Sequence, residues 1–368
     1  MRLSKTKLYK MQRIEKGEKL STSELLERSG YIHQVQSGLF VQMHMMKRVI
    51  NNLEGIVRRE LDSVSCLEIG LNQVQSADLW KQTGRYDTYG SEMFKLKDRQ
   101  GKEMVFTGTN EELVTYAAKT YVESYKDLSF TFYQINNKFR DEIRCNTGLI
   151  RSKEFLMMDA YSFHEDQESL ASQYAVMRTS YENILTRLGL KYRIESADSG
   201  EIGGSFSEEF VVETSEGDVE IGHIFQLGTK YSESMDLQYV DRTGSKQHVH
   251  MGCYGIGISR LAQVLADVNR TDNSFNWGKG VSAYDSVIVV ADVRNEDQMT
   301  LADRMYKALL VKGESVYLDD RDVRMGQKLT EADVIGTTNK LLVGRKAKEN
   351  IYEVKINGNW EERNNGTN

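Results

Sequence analysis

"FRDEIRCNTGLIRSKEFLMMDAYSFHED" runs from Phe139 to Asp166, and its reading decides the fold. Arg140 and Glu142 lie two positions apart, so on a strand they share one face. A polar turn at Asn146 to Gly148 follows. The chain then returns through Arg151, Glu154 and Phe155 into the apolar run EFLMMDAYSF. This predicts two strands joined by a basic hairpin. Arginine suits a site where phosphate charge develops, because its planar fork is always charged. A ring such as Phe155 and a carboxylate such as Glu142 could hold a heterocycle, by stacking and by accepting from an exocyclic amine. The same residues also suit an edge hairpin with solvated charges, and the hairpin alone leaves both readings open.

Working outward, apolar positions from Val41 to Leu61 recur at three or four, which predicts a long amphipathic helix. SCLEIGLNQV, KEMVFTG and FTFYQINNKFR read as strands, with a helix over NEELVTYAAKTYVESY between the last two. A helix over QESLASQYAVMRTSYENILTRLGL ends at Gly189. Short β-rich segments follow from Tyr192 to His250, and GCYGIGISRLAQVLADV reads as a glycine-rich turn entering a helix. After Trp277 strands and helices alternate, predicting a small α/β module with a mostly parallel sheet and a polar tail, NWEERNNGTN. The boundary is placed at Ser282, giving parts 1–281 and 282–368.

The chain has 368 residues, 39% hydrophobic and 28% charged, enough for two domains. No apolar run approaches a membrane span, and the basic start lacks the apolar core of a secretory signal. Three scattered cysteines without a CxxC pair argue against a disulfide framework or a zinc site, and for a reducing, cytoplasmic setting. The net charge of −6 does not favour a nucleic-acid binder, but local basic patches matter more than the sum. The anomaly is proline, which is absent, where a usual frequency of about 5% predicts roughly 18.

Two further motifs are ambiguous in isolation. GCYGIGISR, Gly252 to Arg260, is not GxGxxG and no βαβ unit follows it, so it is no dinucleotide site. Arg260 could add a cation to a positive helix start, or lie on the surface beside close-packed backbone. GTNEE, Gly108 to Glu112, reads as a helix cap with acidic first-turn residues, or as an ammonium pocket with Glu111 as counter-charge. His164 and Cys253 read as structural in isolation, and no metal-ligand spacing such as HExxH occurs.

Taken together the motifs resemble a class II aminoacyl-tRNA synthetase, of the bacterial prolyl-tRNA synthetase family, over nearly the whole chain. FRDEIR…RSKEFLMMDAYSFHED resembles the family's motif 2, HMGCYGIGISRL its motif 3, and TNEE its amino-acid loop. GHIFQLGTKYSE and LDDRDVRMG resemble further blocks, and Val41 to Val74 occupies the place of motif 1, the dimer element. The resemblance implies an α+β fold: a class II catalytic domain on an antiparallel sheet, with a C-terminal α/β anticodon-binding-like domain. It implies activation of proline with ATP and Mg²⁺, transfer to tRNA(Pro), and a homodimer, with metal ligands unassigned. Arg140 would bind the α-phosphate and the amino-acid carboxylate. Glu142 would face the adenine, Phe155 would stack beneath it, and Arg260 would cover it and touch the γ-phosphate. Arg151, Gln226 and Thr229 would belong to the ATP site. Thr109 and Glu111 would hold the prolyl nitrogen, and Met157, Tyr161, His164 and Cys253 would lie in or near the side-chain pocket.

The chain departs from the family in ways that carry expectations. Only VVETSEGDVEI separates GEIGGSFSEEF from GHIFQLG, so the large editing insertion is absent. The C-terminal part is expected to be shortened after EVKINGNW. Family prolines are replaced at Asn72, Ser76, Gly108, Cys145 and Met325. Asn146 stands in place of an arginine that resembles an acceptor-stem contact, and Asn110 in place of a histidine. Two other functions remain compatible: a paralogue that loads another acceptor, and a non-catalytic sensor that keeps the fold. The intact Arg140, Glu142, Phe155 and Arg260 argue against the sensor.

Overall fold

The computed structural model describes residues 1–365 except Lys16, Asn146, Lys279 and Asn357. The chain packs as two compact units. One comprises Gln36–Phe40 and Glu54–Val264; the other comprises Met1–Val35, Val41–Leu53 and the chain from Leu265 onward. Helix α1 (His44–Ser63) realises the predicted amphipathic stripe, with Met45, Val49, Leu53, Ile56, Val57 and Leu61 buried. It starts later than expected because Val41 lies in a short strand, Leu39–Gln42.

The first unit is built on a seven-stranded sheet. Its strands are β1 (Leu67–Glu68), β2 (Phe130–Phe139), β3 (Glu154–His164), β4 (Arg193–Ser196), β5 (Phe206–Thr214), β6 (Gly217–Gly228) and β7 (His250–Gly257). The order is β1-β2-β3-β7-β6-β5-β4. All neighbours are antiparallel except β1 and β2. Helices α2 (Glu111–Ala118), α3 (Gln167–Arg187) and α4 (Ile258–Asn269) accompany it. Asp166 caps α3 by accepting from the Ser169 amide. That helix buries Leu170, Met177, Tyr181 and Ile184. The other face carries an apolar cluster that includes Phe132, Phe163, Phe225 and Met251.

The glycine-rich stretch is a strand rather than the expected turn: His250–Gly257 pairs with β3 and β6 along its length. The chain between β5 and β6 closes as a tight hairpin, with Thr214 opposite Gly217. Gly217 has φ +112°, a conformation that favours glycine. The place where the family's editing insertion was expected to be missing is therefore a two-residue turn.

The second unit contains β8 (Ser286–Val290), α5 (Glu296–Val311), β9 (Val316–Asp319), α6 (Met325–Ile335), β10 (Asn339–Val343), β11 (Ile351–Ile356) and β12 (Asn359–Asn364). The strand order is β9-β8-β10-β11-β12. The sheet is mixed, not mostly parallel. β8 pairs in parallel with β9 and β10, whereas β10, β11 and β12 run antiparallel. The difference comes from β11, which turns back antiparallel on β10, and from the polar tail, which pairs as an edge strand because hydrogen bonding to β11 needs no apolar face. Ile288, Val290, Leu301, Met305, Leu318 and Val343 form the core. No helix among the described residues is long and apolar enough to cross a membrane.

Candidate active site

Strand alternation decides which side chains meet. Phe155, Met157, Asp159, Tyr161 and Phe163 share one face of β3. Cys253 lies opposite Tyr161 on β7, and Phe225 lies opposite Cys253 on β6, so these extend the same face.

One cavity on this face is lined by Arg140, Glu142, Arg151, Phe155, Met157 and Arg260, together with Glu220 and backbone at Gly222, Gly255 and Gly257. The Arg140 guanidinium lies 5.3 Å from the Phe155 ring centroid. Arg260 donates from Nε to the Ile150 carbonyl at 2.9 Å and from Nη1 to the Glu220 carbonyl at 2.6 Å. Burial lowers the Arg260 guanidinium's pKa, and the charges of Arg140 and Arg151 add to it against the pull of Glu220. Three cations thus converge where an anion would relieve their repulsion. Glu142 stands 4.0 Å from the Arg151 guanidinium. A register shift after Phe210 leaves Ile221 without a β5 partner, and such bulges re-aim side chains beside functional sites. Here the Glu220 carboxylate meets Glu209 and His223, with ligand atoms of all three within 4.8 Å of one another.

A second group gathers around Glu111. Thr109 Oγ1 donates to its two carboxylate oxygens at 2.8 and 2.7 Å, and Cys253 Sγ donates at 3.3 Å. Arg85 Nη1 lies 3.0 Å from Glu111 and 3.0 Å from Glu112. Burial alone would raise the Glu111 carboxyl; the Arg85 charge and the Thr109 hydroxyl outweigh it and hold it below its usual range. Burial pushes Cys253 up, and Glu111 adds to the effect, so the thiol stays protonated. Deeper in the same group, Asp159 accepts from Lys138 at 2.6 Å, Asn110 at 2.9 Å, Tyr161 at 2.9 Å and Gln134 at 3.2 Å. Tyr161 in turn accepts from the Asn110 amide. The two groups meet at Arg140, which donates to the Gly108 carbonyl beside Thr109.

Of the residues expected from the sequence, Arg140, Glu142, Arg151, Phe155, Met157 and Arg260 share the first cavity, and Thr109, Glu111, Tyr161 and Cys253 form the second group. Three stand elsewhere. His164 falls on the opposite face of β3, where its Nδ1 pairs with Ser169 of α3 at 2.9 Å. Gln226 lies on the corresponding face of β6, and its side-chain oxygen accepts from Gln167 at 2.6 Å. Thr229 precedes the short helix Lys230–Ser234 and donates to Glu233 at 2.5 Å. For His164 and Gln226 the reason is strand parity, one residue out of phase with Tyr161 and Phe225. Asn146 lies outside the described residues. Sequence reasoning missed Arg85, Glu112, Lys138, Asp159 and Glu220. Asp159 could have been noticed as a lone acid inside an apolar run; Arg85, on the four-residue helix Arg85–Thr88, carried no comparable signal.

A seven-stranded, mainly antiparallel sheet with a cationic cavity between a basic hairpin and a strand-to-helix arginine defines a class II aminoacyl-tRNA synthetase core. Comparison with known proteins agrees: residues 94–269 match the tRNA synthetase class II core domain (G, H, P, S and T), and residues 285–364 match the anticodon binding domain. A proline–tRNA ligase of Bartonella bacilliformis is 34% identical over 419 aligned residues, spanning 96% of this chain and 95% of that protein. One from Anaplasma marginale is 34% identical over 411 residues, spanning 98% and 96%. The chain belongs to the proline–tRNA ligase family. Among solved structures, the prolyl-tRNA synthetase of Cryptosporidium parvum complexed with L-proline and AMP is similar in fold. Its TM-score is 0.83 at 16% identity, covering 93% of this chain and 71% of that one. That of Giardia lamblia in complex with prolyl-adenylate gives 0.82 at 19% identity, covering 92% and 73%.

Proposed function

We propose that this protein activates proline with ATP and esterifies it to tRNA(Pro), without editing. The observation that carries the reading is the position of Arg140, whose guanidinium faces Phe155 in one cavity and bonds Gly108 at the edge of the Thr109–Glu111 pocket. A cation there can hold the α-phosphate and the amino-acid carboxylate together. Phe155 and Glu142 fit the adenine, Arg151 and Arg260 the phosphates, and Thr109 with Glu111 the prolyl nitrogen. Tyr161, Cys253 and Met157 bound the ring.

A proline carboxylate oxygen attacks the α-phosphorus in line, the Pα–O bond to the β-phosphate breaks, and pyrophosphate leaves. A terminal tRNA hydroxyl then attacks the acyl carbon and AMP departs. No protein nucleophile is needed; the chain supplies position and charge. Glu220 and Glu209 are oxygen donors suited to Mg²⁺. Burial raises Glu209, and the neighbouring charges of Glu220 and Glu195 add to it, so a bound cation would relieve that crowding. When bound, Mg²⁺ neutralises phosphate charge.

The matched stretches support a division of roles near Ser282, with residues 1–281 catalytic and 282–368 reading the anticodon end. We assign α1 and the segment to Val74 to a two-fold dimer interface, and the protein to the cytoplasm. Proline-dependent ATP–pyrophosphate exchange followed by tRNA(Pro) charging tests the assignment. Exchange without charging would indicate another acceptor; absence of exchange with every amino acid would indicate the sensor.

A further inference from the structure

The Glu111 carboxylate does not stand alone. Arg85, Glu111 and Glu112 are all fully buried, and one guanidinium nitrogen serves both acids. Thr83 also donates to Glu112 at 2.8 Å. The guanidinium is walled by the rings of Trp80, Tyr89 and Tyr231, with centroids at 5.0, 5.4 and 5.5 Å. We propose that Arg85 is a positioning residue that joins Glu111 and Glu112 into one ammonium-binding unit, whose missing positive charge the substrate amine supplies. This rests on the pocket assigned above.

The charge count explains why two acids are needed. Arg85 with Glu111 alone is neutral and would offer an ammonium group little net attraction. With Glu112 ionised the unit carries one negative charge, which a buried site tolerates poorly without a partner. Burial raises the Glu112 carboxyl, and Glu111 adds to it against Arg85, so without a further cation the unit shifts Glu112 towards its protonated form. The other groups facing the unit are Tyr231 and Lys230 on the helix Lys230–Ser234, Tyr89, Arg140, Cys253 on β7 and Tyr161 on β3; Lys230 donates to the Glu201 and Ile202 carbonyls and Arg140 to that of Gly108. Tyr231, Tyr161 and Cys253 remain neutral, since burial raises all three. An arriving ammonium group therefore favours ionised Glu112 and expels its proton. The sign follows: proline binding weakens as pH falls, because the proton must be removed from a carboxyl that holds it more firmly.

Calorimetry of L-proline binding in buffers of different ionisation enthalpy reads this directly. The parent should release protons on binding proline, increasingly so as pH is lowered, and Glu112→Gln none. Arg85→Lys, which keeps the charge but loses the fork, should raise KM for proline about tenfold while KM for ATP stays within about twofold. Proline binding without proton release, or a folded Arg85→Gln variant with the parental KM for proline, overturns the proposal. Failure of the parent to bind proline or to exchange overturns the functional assignment itself.

A second, independent inference comes from the missing proline. The backbone does not exclude it. Ser76 has φ −65° and Arg324 φ −60°, both inside proline's range. Met325 opens α6, where an N–H has no partner within the helix, and Arg324 before it is extended. Other sites have adapted: a Cβ at Gly108 would stand 2.5 Å from the Tyr89 hydroxyl. Stability is therefore forgone at Met325, whereas at Ser76 the hydroxyl caps the next helix in exchange, accepting from the Asp78 amide. We infer that the absence frees this protein's synthesis from its own product, so that it can be made when prolyl-tRNA is exhausted. This too rests on the proposed activity.

The test is a reconstituted translation system lacking prolyl-tRNA, proline and any other proline-charging enzyme, programmed with this coding sequence. After addition of proline and tRNA(Pro), the newly made chain should charge the tRNA and release translation of a proline-containing reporter. A Met325→Pro template should stall and yield no charging. Full-length chain that leaves tRNA(Pro) uncharged, when protein purified from proline-replete cells charges it, overturns the inference. Inactivity of both preparations overturns the activity.

Discussion

Arg140 and Gly108 are joined by two hydrogen bonds, from Nε at 3.3 Å and Nη2 at 3.2 Å to one carbonyl oxygen. The pair fixes the guanidinium at the junction of the two site groups. Arg140→Ala should lower kcat/KM for pyrophosphate exchange at least about a hundredfold, the scale for losing a preorganised charge contact. Arg140→Lys should restore only part, because it keeps the charge without the fork. An alanine variant as active as the parent would remove Arg140 from the machinery.

The β5–β6 hairpin bears on fidelity. Thr214 and Gly217 close a two-residue turn where the family's editing insertion would sit. Discrimination against alanine then rests on the pocket, and a small apolar pocket rejects a smaller analogue by only about 1–3 kcal/mol. Alanyl-tRNA(Pro) incubated with the protein should decay at its spontaneous rate. Faster deacylation would show hydrolysis at a site other than this hairpin.

Much of this arrangement was legible in the residues. The hairpin strands, α1, α3 and the catalytic cavity follow from periodicity and from the motif resemblance. What was not legible depends on three-dimensional parity and long-range pairing. His164 and Tyr161 sit three residues apart on one strand, so alternation puts them on opposite faces, and only the pairing with β7 shows which face holds the site. Arg85 reaches Glu111 across 26 positions, and no local period links them. The tail strand Asn359–Asn364 is polar apart from Trp360, so its place on β11 is set by backbone hydrogen bonds that leave no hydrophobic pattern.

His164 gives a pH prediction. Burial, with the charge of His250 adding to it, lowers its pKa from the ordinary 6.5 to about 4. The unfolded chain therefore takes up the proton more readily than the folded one. The corresponding stability is present above pH 6.5 and is lost as pH falls towards 4, by roughly 3 kcal/mol at the limit. His164→Gln should remove that pH-dependent part and leave exchange activity intact, since the ring faces α3. The readout is the difference in melting temperature between parent and variant from pH 7 to 4; a constant difference would refute it.

The motif 1 region predicts assembly. Strand β1 lies at the sheet edge with Leu67 54% exposed, and an exposed apolar edge is usually covered. A two-fold dimer should therefore appear in sedimentation at micromolar protein. Leu67→Glu should shift the equilibrium towards monomer and lower activity with it. A fully active monomer would separate this segment from dimerisation.

Met325 tests whether the absence of proline is imposed by the fold. It is the first residue of α6, 41% exposed, after Arg324 at φ −60° and ψ 135°. The Gln327 and Lys328 amides bond back to the Arg324 carbonyl, and proline at 325 disturbs neither bond. Substituting proline at a compatible site removes unfolded-state entropy worth about 0.4–1 kcal/mol. For Met325→Pro that corresponds to about two- to fivefold slower amide exchange in α6, where opening reports local stability. Faster exchange would mean that the Met325 amide or side chain is needed, and that structure itself excludes proline here. Slower exchange would leave the composition of the chain to be explained by how it is made, since a more stable protein was available at this position and is not the one encoded.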